Sequence, residues 1–266
     1  MTIATLINPT SAHNHVFALL LGLCIFLHSM PGHSDAPATP SISENTDPRQ
    51  EFNHYSPSWL KAVGKLRVPG RIYRSGSLTY QWEDCSATLV GSNSSARADT
   101  IVTAWHCLEN YRDLSQPILF TLAAGQNPPI QREAYRLFDG GGMYADWAIL
   151  RLFVPVHSDH ATVLPIHPTT AKSGISIAMA GYSRQTALGD FGNRLTFDPM
   201  CSITQRSDDV VESDCHAQKG ASGGAVVQPG DNGTFWFVGV ISEGDGQGIS
   251  RFVPVDVFRA ALKPVQ

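Results

Sequence analysis

The chain has 266 residues, of which 42% are hydrophobic and 16% are charged, and its formal net charge is −4 with neutral histidines. This length fits one sizeable domain or two small ones, and the composition is that of a globular protein rather than a disordered one. The weakly acidic balance, without basic runs, excludes the electrostatic footprint of a nucleic-acid-binding protein. We therefore expect no nucleic-acid partner.

An uninterrupted apolar run, VFALLLGLCIFL, occupies residues 16–27. It is short for a membrane span but suits a signal-peptide core, and the small and helix-breaking residues after it fit a cleavage region near Ser34 or Ala36. We predict a signal peptide over residues 1–35, a secreted or periplasmic location, and no stable membrane insertion after cleavage. The first 15 residues contain no Lys or Arg, so a retained N-terminal anchor is the alternative.

Short β-branched segments separated by turn clusters such as GQNPP, DGGG and PGDNG dominate the rest of the chain. Strand-length runs at this spacing predict an all-β barrel or sandwich over residues 65–266. The Pro-, Ser- and Asp-rich stretch before it predicts a linker or propeptide at residues 36–64. Only VDVFRAALK near the C-terminus has helical spacing, with Val257, Ala260 and Ala261 on one face.

Four cysteines follow the one in the leader: Cys85, Cys107, Cys201 and Cys215. An even set in an exported chain predicts two disulfides, and four cysteines allow three pairings. We favour Cys85–Cys107 and Cys201–Cys215, because each of these pairs brackets adjacent predicted strands.

Three short segments carry residues capable of chemistry. TAWHC places His106 after a buried strand, YADWAILRL places Asp146 at the start of a strand, and KGASGGAVV places Ser222 in a glycine-rich turn. Each alone has an ordinary explanation in packing or turn formation. Together, in the order His, Asp, Ser and at domain-scale separations, they match the chain order of the chymotrypsin-type triad.

The chemistry of acyl transfer explains why these residue types are needed. A serine hydroxyl is a poor nucleophile at neutral pH and requires an adjacent base, which His106 supplies. A buried carboxylate, Asp146, fixes the imidazole tautomer. The glycines around Ser222 allow a sharp turn, so we predict that the backbone N–H groups of Gly220 and Ser222 form the oxyanion hole. This chemistry uses no cofactor, and we predict no metal site.

The same motifs resemble those of trypsin-like serine proteases. TAWHC resembles TAAHC, DWAILRL resembles DIALL, GASGGAVV resembles GDSGGP, CSATLV is similar to CSGTLI, and FVGVISEG is similar to GIVSWG. The resemblance runs from about Leu66 to Leu262. It implies a chymotrypsin-like fold of two packed six-stranded antiparallel β-barrels with a short C-terminal helix, and a monomeric secreted endopeptidase that cleaves proteins or peptides.

The resemblance also assigns residues around the substrate. It implies that Ser242 hydrogen-bonds the triad carboxylate, and that Ser242, Glu243 and Gly244 offer backbone to an extended substrate by β-addition. It implies the disulfide Cys85–Cys107 in the histidine loop.

Within the family, MCSITQ…SDCHAQKGASGG resembles the bacterial glutamyl-endopeptidase-like branch, in which a second disulfide often closes just before the nucleophile turn. This supports Cys201–Cys215. Ile241 and Ala217 stand where glutamyl-specific members carry a histidine and a hydroxyl, so glutamate specificity does not follow. By its offset from Ser222, His216 should lie near the base of the primary specificity pocket.

One further departure concerns activation. Ala221 stands where trypsin-like zymogens carry the aspartate that pairs with a new N-terminus, so activation by that ion pair is not expected. Two other functions compete with the endopeptidase: a protease-fold binding module without turnover, and an esterase using the same triad. The chain order His, Asp, Ser, in place of the order Ser, Asp, His, disfavours the esterase.

Overall fold

The computed structural model of the chain describes residues 47–91 and 97–263. The predicted signal peptide at residues 1–35, with Cys24, lies outside them. Every described residue belongs to one unit, Asn45–Gln266. None of the helices in this part of the chain is long and apolar enough to cross a membrane.

Fifteen strands, one α-helix and three short 3₁₀ turns form the secondary structure of the described residues. The strands are β1 (Gln50–Glu51), β2 (Val63–Arg74), β3 (Ser77–Gly91), β4 (Arg97–Thr103), β5 (Ile118–Leu122), β6 (Ile130–Asp139), β7 (Ala148–His157), β8 (Leu164–Pro165), β9 (Ile177–Gly181), β10 (Thr196–Cys201), β11 (Ile203–Arg206), β12 (Val211–Ser213), β13 (Ala225–Pro229), β14 (Phe235–Gly244) and β15 (Ser250–Pro254). The helix α1 is Val255–Leu262, and the 3₁₀ turns are Ser58–Ala62, Trp105–Leu108 and Asp190–Gly192.

The first sheet closes into a six-stranded antiparallel barrel. Its strand order is β2-β5-β6-β7-β4-β3, and β2 also pairs with β3 over the full length of a long hairpin, which closes the ring. β8 adds to the outside of β3 in the parallel sense. Fully buried side chains such as Leu89, Ile101, Phe120 and Leu150 fill the interior, as expected for a small barrel whose inward positions form the core.

The second sheet is curled but open. Its order is β1-β10-β9-β13-β14-β15-β12-β11, and its two edge strands, β1 and β11, are only two and four residues long. The predicted all-β, chymotrypsin-like fold is confirmed. The first half forms the expected closed barrel, whereas the second is a half-barrel sheet, because β1 and β11 do not pair with each other within the described residues.

The end of the predicted linker is part of the folded unit. β1 pairs with β10, with Gln50 opposite Phe197. The next turn contributes Trp59 and Leu60 to a buried cluster, 3% and 0% exposed. The polar composition before Tyr55 predicts an unstructured segment, but the apolar WLKAV sequence that follows buries enough surface to join the core.

The C-terminal helix forms where it was predicted, but its buried face differs. Val255, Phe258 and Leu262 are buried, while Ala260 is exposed. Phe258 stacks on Trp147 with ring centroids 5.4 Å apart. A large aromatic side chain buries more apolar area than alanine does, so it sets the helix rotation.

Both predicted disulfides, Cys85–Cys107 and Cys201–Cys215, are confirmed. The first ties β3 to the turn that carries His106. The second ties the end of β10 to the segment that leads into the Ser222 turn. Each bridge therefore anchors a segment next to a predicted triad residue.

Candidate active site

His106 and Asp146 meet where two paired strands of the barrel end. His106 lies in the 3₁₀ turn that follows β4, and Asp146 lies two residues before β7. β4 and β7 pair, with Thr103 opposite Ala148, so the two segments emerge side by side. The Asp146 carboxylate accepts hydrogen bonds from the His106 Nδ1 at 2.8 Å and from its backbone N–H at 2.9 Å.

A third donor reaches this carboxylate from the second sheet. The Ser242 hydroxyl on β14 donates to Asp146 Oδ2 at 2.5 Å, which is the contact implied by the family resemblance. Asp146 is 1% exposed and Ser242 is 7% exposed. A buried carboxylate is stable only when its oxygens are hydrogen-bonded, and here both are.

The two pKa values shift in opposite directions. Burial lowers the pKa of His106, but the hydrogen bond and the negative charge of Asp146 outweigh it and bring the pKa above its ordinary 6.5. Burial raises the pKa of Asp146, but the hydrogen bonds and charge of His106, helped by Ser242, bring it below 3.8. An ionised Asp146 at neutral pH requires the proton on Nδ1 of His106, which leaves Nε2 free to accept one.

The Ser222 turn packs against the first barrel beside this pair. The backbone N–H of Ser86 on β3 donates to the Ser222 carbonyl at 2.8 Å, and the N–H of Gly223 donates to Ile241 at 2.7 Å. The sulfur of Cys107, the residue after His106, lies 3.9 Å from the same Ser222 carbonyl oxygen. The candidate nucleophile therefore lies next to the turn that carries the candidate base.

The Ser222 hydroxyl donates to the carbonyl of Ser242 at 3.4 Å. Within the described residues it makes no hydrogen bond with His106. A bond of 3.4 Å is weak, so little free energy holds the hydroxyl in this orientation. Catalytic hydrogen bonds are often long or misaligned without substrate and tighten when it binds.

Gly223 makes the close approach of the turn possible. It has φ of +82°, and a Cβ there would lie 2.1 Å from the Ser86 carbonyl oxygen and 2.1 Å from the Thr103 hydroxyl. Both neighbours are fixed in the barrel, so neither can move away at low cost.

We therefore expect Gly223→Ala to lower the free energy of unfolding by about 1–3 kcal/mol more than Gly174→Ala does. Gly174 has a similar φ, +78°, but no atom lies within 4 Å of its Cβ position, so it controls for backbone strain alone. Chemical denaturation of the two variants measures the difference. Equal losses would show that packing against Ser86 and Thr103 is not what requires glycine.

Two backbone N–H groups beside Ser222 have no acceptor within the described residues: those of Gly220 and of Ser222 itself. The carbonyl of Lys219 accepts from Arg184 N–H at 2.7 Å, and the carbonyl of Ala221 accepts from Gly224 N–H at 2.8 Å. In a trans peptide the N–H points opposite to the carbonyl. The two free N–H groups therefore point away from the packed segments, as the predicted oxyanion hole requires.

Ser86 supports this turn and was not singled out in the sequence. Its side chain is fully buried, donates to the Gly220 carbonyl at 2.9 Å and accepts from the Tyr182 N–H at 2.8 Å. One hydroxyl thus links the two sheets at the candidate oxyanion hole. The only signal in the sequence is its place directly after Cys85 in CSATLV.

The match to known sequences agrees with this geometry. The family model described as the trypsin-like peptidase domain matches residues 85–240, more than half of the chain. The chain belongs to the trypsin-like peptidase family. No curated protein matches the sequence significantly.

A solved structure supports the fold of this peptidase-family chain. The crystal structure of the serine endoprotease from Yersinia pestis superposes with a TM-score of 0.53 at 17% identity, over 78% of this chain. This chain covers 64% of that one, so the similarity shows a common fold and leaves part of the Yersinia protein unmatched.

A cavity of about 550 Å³ opens beside Ser222 in this trypsin-like domain. Of the predicted substrate-binding residues, Glu243 and Gly244 line it, and Ser242 contacts both Asp146 and Ser222. Its charged lining is mixed, with two acidic and two basic side chains. These are Glu243, Asp245, Lys219 and Arg251.

His216 is not among the residues that line this cavity, and its place near the base of the specificity pocket stays a prediction. Its backbone N–H donates to the buried carboxylate of Asp198 at 2.9 Å, and its Nε2 lies 3.0 Å from the position that a Cβ on Gly248 would take. The bond to Asp198 ties the backbone of His216 to β10 of the second sheet. Ala217 and Ile241, also singled out in the sequence, do line it.

Proposed function

We propose that the protein is a secreted serine endopeptidase that hydrolyses peptide bonds through Ser222, His106 and Asp146. The observation that carries this proposal is the buried Asp146 carboxylate on His106 Nδ1, beside a serine turn whose Gly220 and Ser222 N–H groups have no acceptor among the described residues. This arrangement supports acyl transfer because it offers a candidate nucleophile, base, orienting acid and oxyanion donors in neighbouring segments.

The steps of the reaction follow from these positions. His106 Nε2 removes the proton of the Ser222 hydroxyl as its oxygen attacks the substrate carbonyl carbon. The negative charge that develops on the carbonyl oxygen is stabilised by the N–H groups of Gly220 and Ser222, each worth about 2.7–4 kcal/mol in such sites. His106 then gives its proton to the leaving amine, and the acyl group stays esterified to Ser222. A water molecule, deprotonated by His106, releases the acid and restores Ser222.

Asp146 stays ionised throughout this cycle. Its low pKa means that it does not take the proton from the imidazolium; it stabilises the positive charge and fixes the ring. The proposed role of Asp146 is therefore electrostatic and orienting.

The cavity lining limits the choice of substrate side chain. Ala217 and Ile241 place no polar side-chain atom in the cavity, and Arg251 is shared between Glu243 at 3.4 Å and Glu212 at 3.3 Å. Lys219 is the basic lining residue without an acidic partner among the described residues, but the histidine and the hydroxyl of the glutamyl-specific members are absent from positions 241 and 217. We therefore propose that the protein resembles the bacterial glutamyl-endopeptidase-like branch but does not share its specificity for glutamate.

Secretion is part of the proposal because both disulfides require an oxidising compartment. Disulfides persist outside the cytosol and are rare within it. Together with the apolar run at residues 16–27, they favour export and removal of the leader.

The competing function is a protease-fold binding module without turnover. Incubating the purified protein with a peptide library and reading fragment masses separates the two. An endopeptidase yields internal cleavages that disappear in a Ser222→Ala protein prepared in parallel. No cleavage by either protein would leave the binding module as the better account, and ester hydrolysis without peptide cleavage would favour the esterase.

The pH dependence of activity should follow His106. The base must be neutral to accept the Ser222 proton, so activity is lost as the pH falls through its pKa, which the hydrogen bond and charge of Asp146 bring above 6.5. We expect the acidic limb of kcat/KM to have its midpoint above pH 6.5.

The charge of Glu243 also raises the pKa of His106, so Glu243→Gln should move the acidic limb to lower pH. A midpoint near the ordinary carboxylate range would point to a different base.

A further inference from the structure

Arg49 is a buried cation in a segment that the sequence presents as a linker. Its side chain is 2% exposed, and Asp47 neutralises it with an N–O distance of 2.6 Å. The hydrogen bonds to Arg49 bring the pKa of Asp47 below its ordinary value. Burying a guanidinium costs free energy unless its N–H donors are hydrogen-bonded. We therefore expect the remaining donors of Arg49 to have partners as well.

The remaining donors of Arg49 reach two residues far along the chain. Nη1 donates to the Ser183 hydroxyl at 3.0 Å, and Nη2 donates to the side-chain oxygen of Gln185. Ser183 is also bonded to the hydroxyl of Thr196 at 2.9 Å. The guanidinium therefore holds both ends of the three-residue segment 183–185.

The middle residue of that segment orients a candidate oxyanion donor. The Arg184 N–H donates to the Lys219 carbonyl at 2.7 Å, which turns the N–H of Gly220 to the opposite side of the peptide. The two segments are in direct contact, since a Cβ on Gly220 would lie 3.1 Å from the Arg184 nitrogen. A shift of Arg184 would release the Lys219–Gly220 peptide to rotate.

We infer that Arg49 is a positioning residue for the oxyanion hole, acting through Ser183, Gln185 and the backbone of Arg184 on the peptide of Gly220. This inference rests on the proposed function, because it assigns a role within that reaction. Ala221 carries no charge with which to order the turn from within, so Arg49 adds to the support that Ser86 gives the turn from the barrel.

The test compares Arg49→Met with Arg194→Met. Arg194 is a matched control: it bonds Glu51 on β1 at 2.9 Å, is half exposed, and touches neither Ser183 nor Gln185. We expect Arg49→Met to lower kcat for a peptide substrate at least 10-fold. The upper limit of the decrease is about 10²–10³-fold, which is the effect of removing one oxyanion-hole donor completely. KM should change less than about threefold, since the donor acts in the transition state. Arg194→Met should keep the kcat of the parent protein.

Two further readouts separate positioning from general damage. The inhibition constant of a peptide aldehyde, whose adduct oxygen occupies the oxyanion hole, should rise by about the factor by which kcat/KM falls. The acidic limb set by His106 should not move. A kcat within twofold of the parent, or an equal loss in Arg194→Met, would overturn the role of Arg49.

Arg49→Lys and Gln185→Ala cover the case in which Arg49→Met does not fold. Lysine keeps the charge beside Asp47 but cannot bridge Ser183 and Gln185 as the planar guanidinium does, and Gln185→Ala removes one anchor only. Both should lower kcat in the same direction, and unchanged kcat in both would contradict the inference. If the parent protein shows no Ser222-dependent hydrolysis, the proposed function fails; if it is active and these variants match it, only the role of Arg49 fails.

Discussion

Replacing Ser222 with alanine should abolish covalent labelling by a fluorophosphonate and reduce peptide hydrolysis to a small residual rate. The hydroxyl is the only part of the proposed machinery that forms a bond to the substrate, so its loss removes the acyl-enzyme route entirely. About 10³–10⁴-fold acceleration over the uncatalysed reaction can survive from the oxyanion hole and binding alone. Intact mass spectrometry after labelling, with a peptide-cleavage assay on the same sample, measures the effect.

Ser242→Ala is the informative companion to this variant. Its hydroxyl donates to Asp146 rather than to substrate, so labelling should persist at a reduced rate while Ser222→Ala shows none. Fluorophosphonate modification of the Ser222→Ala protein at another serine, with peptidase activity retained, would contradict the assignment of the nucleophile.

Asp146→Asn should lower kcat by about four orders of magnitude while the fold stays intact. The asparagine keeps the volume of the side chain but loses the charge that holds the proton on His106 Nδ1. Its amide can present a donor to Nδ1, which favours the tautomer in which Nε2 carries the proton and cannot accept another. Labelling at Ser222 should continue, slowly, because the nucleophile is still present.

Asp139→Asn is the matched control for this prediction. Asp139 is the nearest acidic residue upstream of Asp146 in the sequence, but it pairs with Arg136 at 3.2 Å and accepts the Gly141 N–H at 2.9 Å. It should therefore be replaceable with little loss of activity. Near-normal activity and melting temperature in Asp146→Asn, with a large loss in Asp139→Asn, would reverse the two assignments. Adding His106→Ala to Asp146→Asn should cost little beyond the worse single change, because the residues act as a unit.

The candidate site was largely predictable because each residue lies in a short motif at the end of a strand. His106 and Asp146 lie at the ends of two paired strands of the closed barrel, whereas Ser222 precedes a strand of the open second sheet and was assigned from the chain order of the triad. The two disulfides were predictable for a related reason: each joins segments that are near neighbours in sequence. The bond from Ser242 to Asp146 followed from the family resemblance and could not be derived from spacing.

The parts that the sequence did not predict depend on long-range contacts. Arg49 precedes its partners Ser183 and Gln185 by 134 and 136 residues, and nothing in its polar neighbourhood indicates burial. The hydrogen bond from the His216 N–H to the Asp198 carboxylate likewise joins two separate segments of the chain. The two edge strands of the open second sheet, β1 and β11, are only two and four residues long, too short for an alternating hydrophobic pattern to reveal them.

Trapping the acyl-enzyme tests the central claim most directly. The purified protein is mixed with a protein substrate that it cleaves, quenched in acid within the first turnover, and analysed by intact mass and peptide mapping. We predict an ester-linked fragment at Ser222 that ends at the cleaved carbonyl, absent from Ser222→Ala and gone when the unquenched reaction is left to completion. Cleavage of the substrate with no covalent fragment on Ser222 at any time would contradict the proposed mechanism.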